Sequence, residues 1–293
     1  MSAIIFPGQG SQYTKMAMDF NENFAISAQI FEEIEDSTKI NIRKLISEND
    51  DDKINQTNYT QISIFAASIV IYKTLLVEIG LNNINQKIVL GHSLGEYSAL
   101  VANSCLSLSD ASKLIKLRGQ FMNSAIKPNT SGMAALIGKN CVFIEDLIKK
   151  HKLNIEVAND NSSMQIVISG LIKDIDNAQE IFVLNGIKRF VKLNVSAAFH
   201  SKYMLDAQNK LNNEIDKIIF LTPKNPIISN FNAKINSNVD KIMYSLKYQM
   251  VNKVKWTESI RTLEETDISK IIEIGPGKVL SGLISRISKK FEI

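Results

Sequence analysis

Ile88-Val89-Leu90-Gly91-His92-Ser93-Leu94-Gly95 is a short apolar run that ends in a glycine-flanked turn, and Glu96-Tyr97-Ser98-Ala99-Leu100-Val101-Ala102 behind it suits a helix. Strand, tight turn and helix are the context that a nucleophile elbow requires. The glycines remove side chains where the turn is strained and where helix and strand pack closely. The serine then projects its hydroxyl at a helix N-terminus, where unbonded N–H groups and the helix dipole favour an oxyanion. The competing reading is an ordinary strand–helix turn that happens to spell Gly-x-Ser-x-Gly.

A serine nucleophile needs a base, and the chain holds three histidines. His92 adjoins Ser93, but successive side chains at a sharp turn point apart. His151 lies in Lys149-Lys150-His151-Lys152, a basic run that ends a helix and faces solvent. His200 follows the strand-like Phe190–Val195 stretch, in Val195-Ser196-Ala197-Ala198-Phe199-His200-Ser201, among small and aromatic residues that suit a pocket. A histidine with a pKa near neutrality is the usual partner for such a serine, and elimination leaves His200 as the base candidate.

Arg118 is the third informative residue. Residues 109–122 begin with the cap-type Ser109-Asp110, and Ala111, Leu114, Ile115, Phe121 and Met122 fall on one helical stripe. Arg118 falls on that same stripe. A buried guanidinium stays charged and needs an anion or strong acceptors in front of it. A structural salt bridge to an internal Asp or Glu and a bidentate clamp for a substrate carboxylate both satisfy that need.

Further segments join these in chain order: Ile4-Ile5-Phe6-Pro7-Gly8-Gln9-Gly10-Ser11-Gln12, Lys116-Leu117-Arg118-Gly119-Gln120-Phe121-Met122, Gln165–Gly170, Phe199-His200-Ser201 and Glu273-Ile274-Gly275-Pro276-Gly277-Lys278-Val279-Leu280. Together with the elbow they resemble the malonyl-CoA:acyl carrier protein transacylase family over essentially the whole chain. The resemblance implies Ser93 as the malonyl-carrying nucleophile and His200 as its base. It implies that backbone N–H groups at Gln9 and Leu94 form the oxyanion hole and that Arg118 pairs with the free malonate carboxylate. Met122 and Phe199 would contribute to substrate binding, and the Gln249 carbonyl would orient His200. Phe199 resembles the bulky residue beside the histidine in malonyl-selective members; methylmalonyl-selective relatives tend to carry serine there. The implied reaction is ping-pong transfer of malonyl from malonyl-CoA to the phosphopantetheine thiol of acyl carrier protein for fatty-acid synthesis, with no cofactor and no metal. The chain departs from the family at Asn252-Lys253, where Asn-Pro is usual, and at Ser163 and Ala198, where proline is frequent.

A serine hydrolase or thioesterase acting on acyl-CoA is the alternative. It accounts for Ser93 and His200, with Asp110, Asp146, Asp160 or Asp174 to complete a triad, but gives no reason for Arg118 or for the Gln9 loop.

Composition fits such an enzyme: 293 residues, 45% hydrophobic, 22% charged, with a modest net charge of +4. Basic residues do not cluster with aromatics as a nucleic-acid surface would require. No uninterrupted apolar run reaches membrane-spanning length, and Asp19, Glu22 and the polar stretch 8–15 argue against a secretory signal. Two cysteines, Cys105 and Cys141, lack metal-type spacing. The expectation is a cytoplasmic monomer with neither nucleic-acid nor membrane partners.

The pattern of elements predicts an α/β fold: a large hydrolase-like layered domain with a mostly parallel sheet, and an inserted ferredoxin-like (βαββαβ) subdomain. The expected division is 1–125 and 197–293 for the large domain and 126–196 for the insertion. Within the insertion the expected strands are 131–137, 154–158, 165–170 and 188–195, with Asn159-Asp160-Asn161-Ser162-Ser163 as a polar turn. In the large domain a long apolar helix is expected over 61–79, and a strand over 270–274 leads through Gly275-Pro276-Gly277 into a closing helix.

Overall fold

A computed structural model describes residues 1–48, 51–78, 80 and 85–293. In chain order the elements are β1 (Ser2–Phe6), α1 (Met18–Asn23), α2 (Ala25–Thr38), α3 (Ile42–Ser47), α4 (Asp51–Ile54), α5 (Thr57–Glu78), β2 (Gln86–Gly91), α6 (Gly95–Ala102) and α7 (Leu108–Ser124). There follow β3 (Ser131–Ile137), α8 (Cys141–Lys150), β4 (Ile155–Ser162), β5 (Gln165–Leu171), α9 (Ile172–Leu184) and β6 (Arg189–Lys192). The chain closes with α10 (Leu205–Ile215), β7 (Ile227–Ile228), β8 (Ile235–Asn236), α11 (Val239–Tyr248), α12 (Trp256–Glu264), β9 (Lys270–Glu273) and α13 (Val279–Ile287).

The first sheet runs β8-β7-β2-β1-β9 and is parallel except for β8. Its central strands are buried on both faces, and the two-residue period of a strand divides their side chains between two cores. Ile4, Phe6 and Val89 enter the core built with α2, α5 and α7. Ala3, Ile5, Ile88 and Leu90 enter the opposite core, with Trp256 and Ile260 of α12 and Leu283, Ile284 and Ile287 of α13.

The second sheet runs β4-β5-β3-β6 and is antiparallel throughout, with α8 and α9 packed on it around Ile144, Ile168, Ile175 and Phe182. All its strands lie between residues 131 and 192, whereas the first sheet draws strands from both sides of that stretch. The chain therefore has the mixed α/β fold that its sequence pattern predicts, with a βαββαβ order in the second sheet.

Several element bounds differ from the expectations, among them β9, which ends at Glu273. The helix carrying Arg118 is capped by Ser107, whose Oγ accepts from Asp110 N at 3.0 Å, so it starts before Ser109. Strand β6 stops at Lys192, short of Val195. Helix α5 begins at Thr57, and Ile79, its expected last residue, lies outside the described residues. By length and composition α5 is apolar enough to cross a membrane, but 72% of its most apolar window is buried inside the protein, where it packs on α2 and α7.

The largest correction concerns residues 159–162, which continue β4 instead of turning; the turn is Ser163-Met164. Asn159, Asp160, Asn161 and Ser162 are all buried. Their polar groups find partners across the fold: Asp160 N donates to Val254 O at 3.0 Å, and Thr257 Oγ1 donates to Asp160 Oδ1 at 2.6 Å. Buried polar groups persist where each is bonded, so a polar run here reads as a seam between the two sheets.

Glycine spacing fixes how closely β2 and α6 approach. A Cβ on Gly91 would overlap the Gly95 carbonyl, and one on Gly95 would overlap the Phe6 carbonyl of β1. Gly95→Ala should therefore destabilise the protein by about 3 kcal/mol, the upper end of overpacking costs, because the obstructing atoms are backbone. Chemical denaturation measures this; an unchanged midpoint would show that the elbow has slack.

Candidate active site

The turn between β2 and α6 puts Ser93 in the left-handed region, with φ +52°. That conformation is strained for a residue with a side chain and is kept only where the surroundings enforce it. Asn230, just past β7, does so: its Oδ1 accepts from Ser93 N at 2.6 Å and its Nδ2 donates to Gly91 O at 2.7 Å. Ser93 N–H is thereby occupied. Among the described residues, the N–H groups of Gln9 and Leu94 have no backbone acceptor outside regular elements. Both residues line the cavity above Ser93, and Leu94 sits at the N-terminus of α6.

His200 Nδ1 faces two carbonyl oxygens, Gln249 O at 3.0 Å and Asn252 O at 3.1 Å. Carbonyls only accept, so the Nδ1 proton points to them and the Nε2 lone pair faces Ser93. Ser93 Oγ donates to that Nε2 at 2.8 Å. His200 is 3% exposed. Burial, then the Arg118 charge, lowers its pKa to about 3, so the imidazole is held in its neutral, proton-accepting form.

The Arg118 guanidinium, 1% exposed, lies between two glutamines and the serine. Nη1 donates to Gln61 Oε1 at 2.6 Å, and Nη2 donates to Gln249 Oε1 and to Ser93 Oγ, each at 3.0 Å. Among the described residues no carboxylate pairs with it, so the salt-bridge reading of Arg118 is not what the fold contains. Burial pushes its pKa down, yet guanidinium starts so high that it remains charged. A buried cation whose direct hydrogen-bond partners are neutral, beside an open cavity, can receive an anion.

That cavity, of about 220 Å³, brings together Gln9, Ser93, Leu94, Arg118, Met122, Phe199 and His200. Gln249 stands behind the wall. Its carbonyl meets His200 as the resemblance implies, and its side chain adds a role not read from sequence, bonding Arg118 through Oε1 and Ser93 O through Nε2, the latter at 2.9 Å. Sequence reasoning also missed Gln61, Asn230 and Glu96. Gln61 carried a usable signal, a lone amide in the apolar run of α5, of the same kind that singled out Arg118.

The other histidines stand as elimination predicts. His92 Nε2 lies 2.8 Å from Asn161 Oδ1 on β4, and His151 is exposed behind α8. The aspartates proposed for a hydrolase triad are occupied elsewhere or face solvent: Asp110 bonds Ser107, Asp160 bonds Thr257, Asp174 bonds Asn154, and Asp146 is exposed. None meets His200 Nδ1.

Two departures from the family pattern are compensated locally. Ala198 N, a donor that proline would lack, bonds Ser131 Oγ at 3.1 Å. Lys253 Nζ reaches across to α8, where it donates to Glu145 Oε1 at 2.8 Å and to Cys141 Sγ at 3.2 Å. Ser163 is exposed in the β4–β5 turn.

A strained serine, a neutral histidine oriented by carbonyls and an unpaired arginine in one cavity are the equipment of an acyl-transfer enzyme. The family model for the acyl transferase domain matches residues 3–290, and the chain belongs to that family. It is 34% identical to the malonyl CoA-acyl carrier protein transacylase of Bacillus subtilis, over 99% of this chain and 91% of that one. It is 33% identical to the enzyme of that name from Escherichia coli K12, over 97% of this chain and 92% of that one. The solved structure of the malonyl CoA-acyl carrier protein transacylase of Coxiella burnetii superposes with a TM-score of 0.94 at 32% identity, covering 100% of this chain and 92% of that one.

The lowered pKa of His200 gives a pH prediction. A base works in its neutral form, which here persists down to about pH 3. The second-order rate of Ser93 acylation by an activated ester should stay flat from pH 8 to pH 5. An unperturbed histidine, with a pKa of about 6.5, would instead lose roughly thirtyfold by pH 5. His200→Ala should slow the same reaction by about 10²–10⁴-fold, the usual loss with a general base. A fall centred near pH 6.5 would contradict the burial argument.

Proposed function

We propose that this protein transfers the malonyl group of malonyl-CoA to the phosphopantetheine thiol of acyl carrier protein through a malonyl ester on Ser93. The observation that carries the reading is the buried Arg118 guanidinium, unpaired with any described carboxylate and 3.0 Å from Ser93 Oγ. The names of the relatives support it.

In the first half-reaction the malonate carboxylate pairs with Arg118 and sets the thioester carbonyl over Ser93. His200 Nε2 takes the hydroxyl proton as Oγ attacks. The N–H groups of Gln9 and Leu94 stabilise the tetrahedral oxyanion, and loss of one such donor typically costs about 100-fold or more. Collapse of that intermediate breaks the C–S bond, and His200 returns its proton to the departing CoA thiolate. The carrier's thiol then enters, gives its proton to His200 and attacks the malonyl-serine ester; Ser93 leaves and recovers the proton. Oriented by carbonyls instead of a carboxylate, His200 works with Ser93 as a dyad.

The reading treats 126–196 as an inserted subdomain over a body formed by 1–125 and 197–293. The reading takes the protein as a monomer whose substrates belong to the cytoplasm. Met122 and Phe199 shape the acyl pocket. Phe199, buried and bulky beside the base, leaves little space for a branch methyl.

Incubation with malonyl-CoA and phosphopantetheinylated carrier tests the reaction. Malonyl-carrier is the expected product, whereas free malonate in its place would favour the hydrolase reading. In competition among thioesters, wild type should prefer malonyl-CoA to acetyl-CoA and methylmalonyl-CoA. Arg118→Ala should cut the malonyl-over-acetyl preference at least tenfold, since a hydrogen bond to a charged group contributes about 1.5–3 kcal/mol. Phe199→Ser should admit methylmalonyl. An Arg118→Ala variant with the wild-type ratio would mean that the carboxylate binds elsewhere.

A further inference from the structure

Glu96, the second residue of α6, is 1% exposed and forms no ion pair among the described residues. Its Oε2 accepts from Gln249 Nε2 at 2.7 Å and from Asn230 N at 3.3 Å, and its Oε1 makes no well-formed hydrogen bond. Burying a carboxyl on these terms is unfavourable, and burial raises its pKa against the opposing pull of its polar neighbours. The proposed reaction gives it no task.

Its two partners are the residues that hold the elbow. Asn230 accepts from Ser93 N, while Gln249 donates to Ser93 O and accepts from Arg118 Nη2. An amide has one oxygen and one NH₂ group, and the choice of which faces Arg118 matters. With Nε2 committed to both Ser93 O and Glu96 Oε2, Oε1 is left to face the guanidinium. A turned amide would present N–H to a cation and set its oxygen against two other acceptors, Ser93 O and Glu96 Oε2.

We propose that Glu96 is a positioning residue for acyl selection, fixing the orientation of the Gln249 amide and through it the Arg118 guanidinium. The proposal rests on the malonyl-transfer reading. It requires only that one Glu96 oxygen accept a hydrogen bond, which either protonation state allows.

The test compares kcat/KM for malonyl-CoA and for acetyl-CoA in wild type, Glu96→Gln, Glu96→Leu, Gln249→Leu and the double Leu variant, with thermal melts to verify folding. Glu96→Leu should lower the malonyl-over-acetyl ratio at least tenfold, mainly through the malonyl value. Glu96→Gln, whose amide oxygen still accepts from Gln249, should keep the ratio within about threefold of wild type. Gln249→Leu should match Glu96→Leu, and the double variant should fall no further, as for residues acting through one contact. An unchanged ratio in Glu96→Leu, or an equal loss for both substrates, would overturn the proposal; the latter marks general damage to the elbow. A ratio lost equally in Glu96→Gln would also overturn it, since charge and not orientation would then matter. If Glu96→Leu does not fold, Glu96→Gln and Gln249→Leu decide by the same ratios. Absence of malonyl transfer in wild type would defeat the underlying reading instead, so the two failures are distinguishable.

Discussion

Ser93 Oγ makes two hydrogen bonds of opposite sense, donating to His200 Nε2 at 2.8 Å and accepting from Arg118 Nη2 at 3.0 Å. Three chain segments far apart in sequence must meet within hydrogen-bond reach for this to hold. The parallel sheet supplies the serine at the end of β2, α7 supplies the arginine, and the stretch after β6 supplies the histidine. In the proposed reaction one contact removes the proton and the other marks where the substrate carboxylate belongs. Both Ser93 and His200 sit at positive φ, so the backbone is strained at the two residues whose placement matters most.

The strain is held by a buried polar layer beneath the elbow. Asn230 occupies the Ser93 N–H, Gln249 spans from Ser93 O to Arg118, and two carbonyls fix the His200 tautomer. Inside a low-dielectric core such bonds are strong and their loss is costly, which favours one arrangement over its alternatives. The seam formed by β4 extends this layer, since Asn161 engages His92 and Val254 ties the His200-orienting loop to the second sheet.

Much of this was legible in the sequence because it depends on local pattern. Continuous apolar runs mark β1 and β2, paired glycines mark the elbow, and an arginine on an apolar stripe marks a buried charge. What was not legible depends on distant packing. Asn230 reads as an ordinary residue after a short strand, and only its approach to Ser93, 137 positions earlier, gives it a function. Residues 159–162 resemble a turn because polarity usually means solvent; here it means bonds across a seam. At Arg118 spacing cannot say what the side chain faces; the resemblance alone favours a substrate clamp over a salt bridge, and the neutral partners Gln61, Gln249 and Ser93 come from other segments.

The central claim is that Ser93 carries a malonyl group with Arg118 opposite its carboxylate. Peptide mapping by mass spectrometry after brief mixing with malonyl-CoA tests it most directly. The account predicts one malonyl group per chain, on the peptide that contains Ser93 and absent from a Ser93→Ala variant. Malonyl found on another residue, or none on a protein that still transfers it to carrier, would contradict the account.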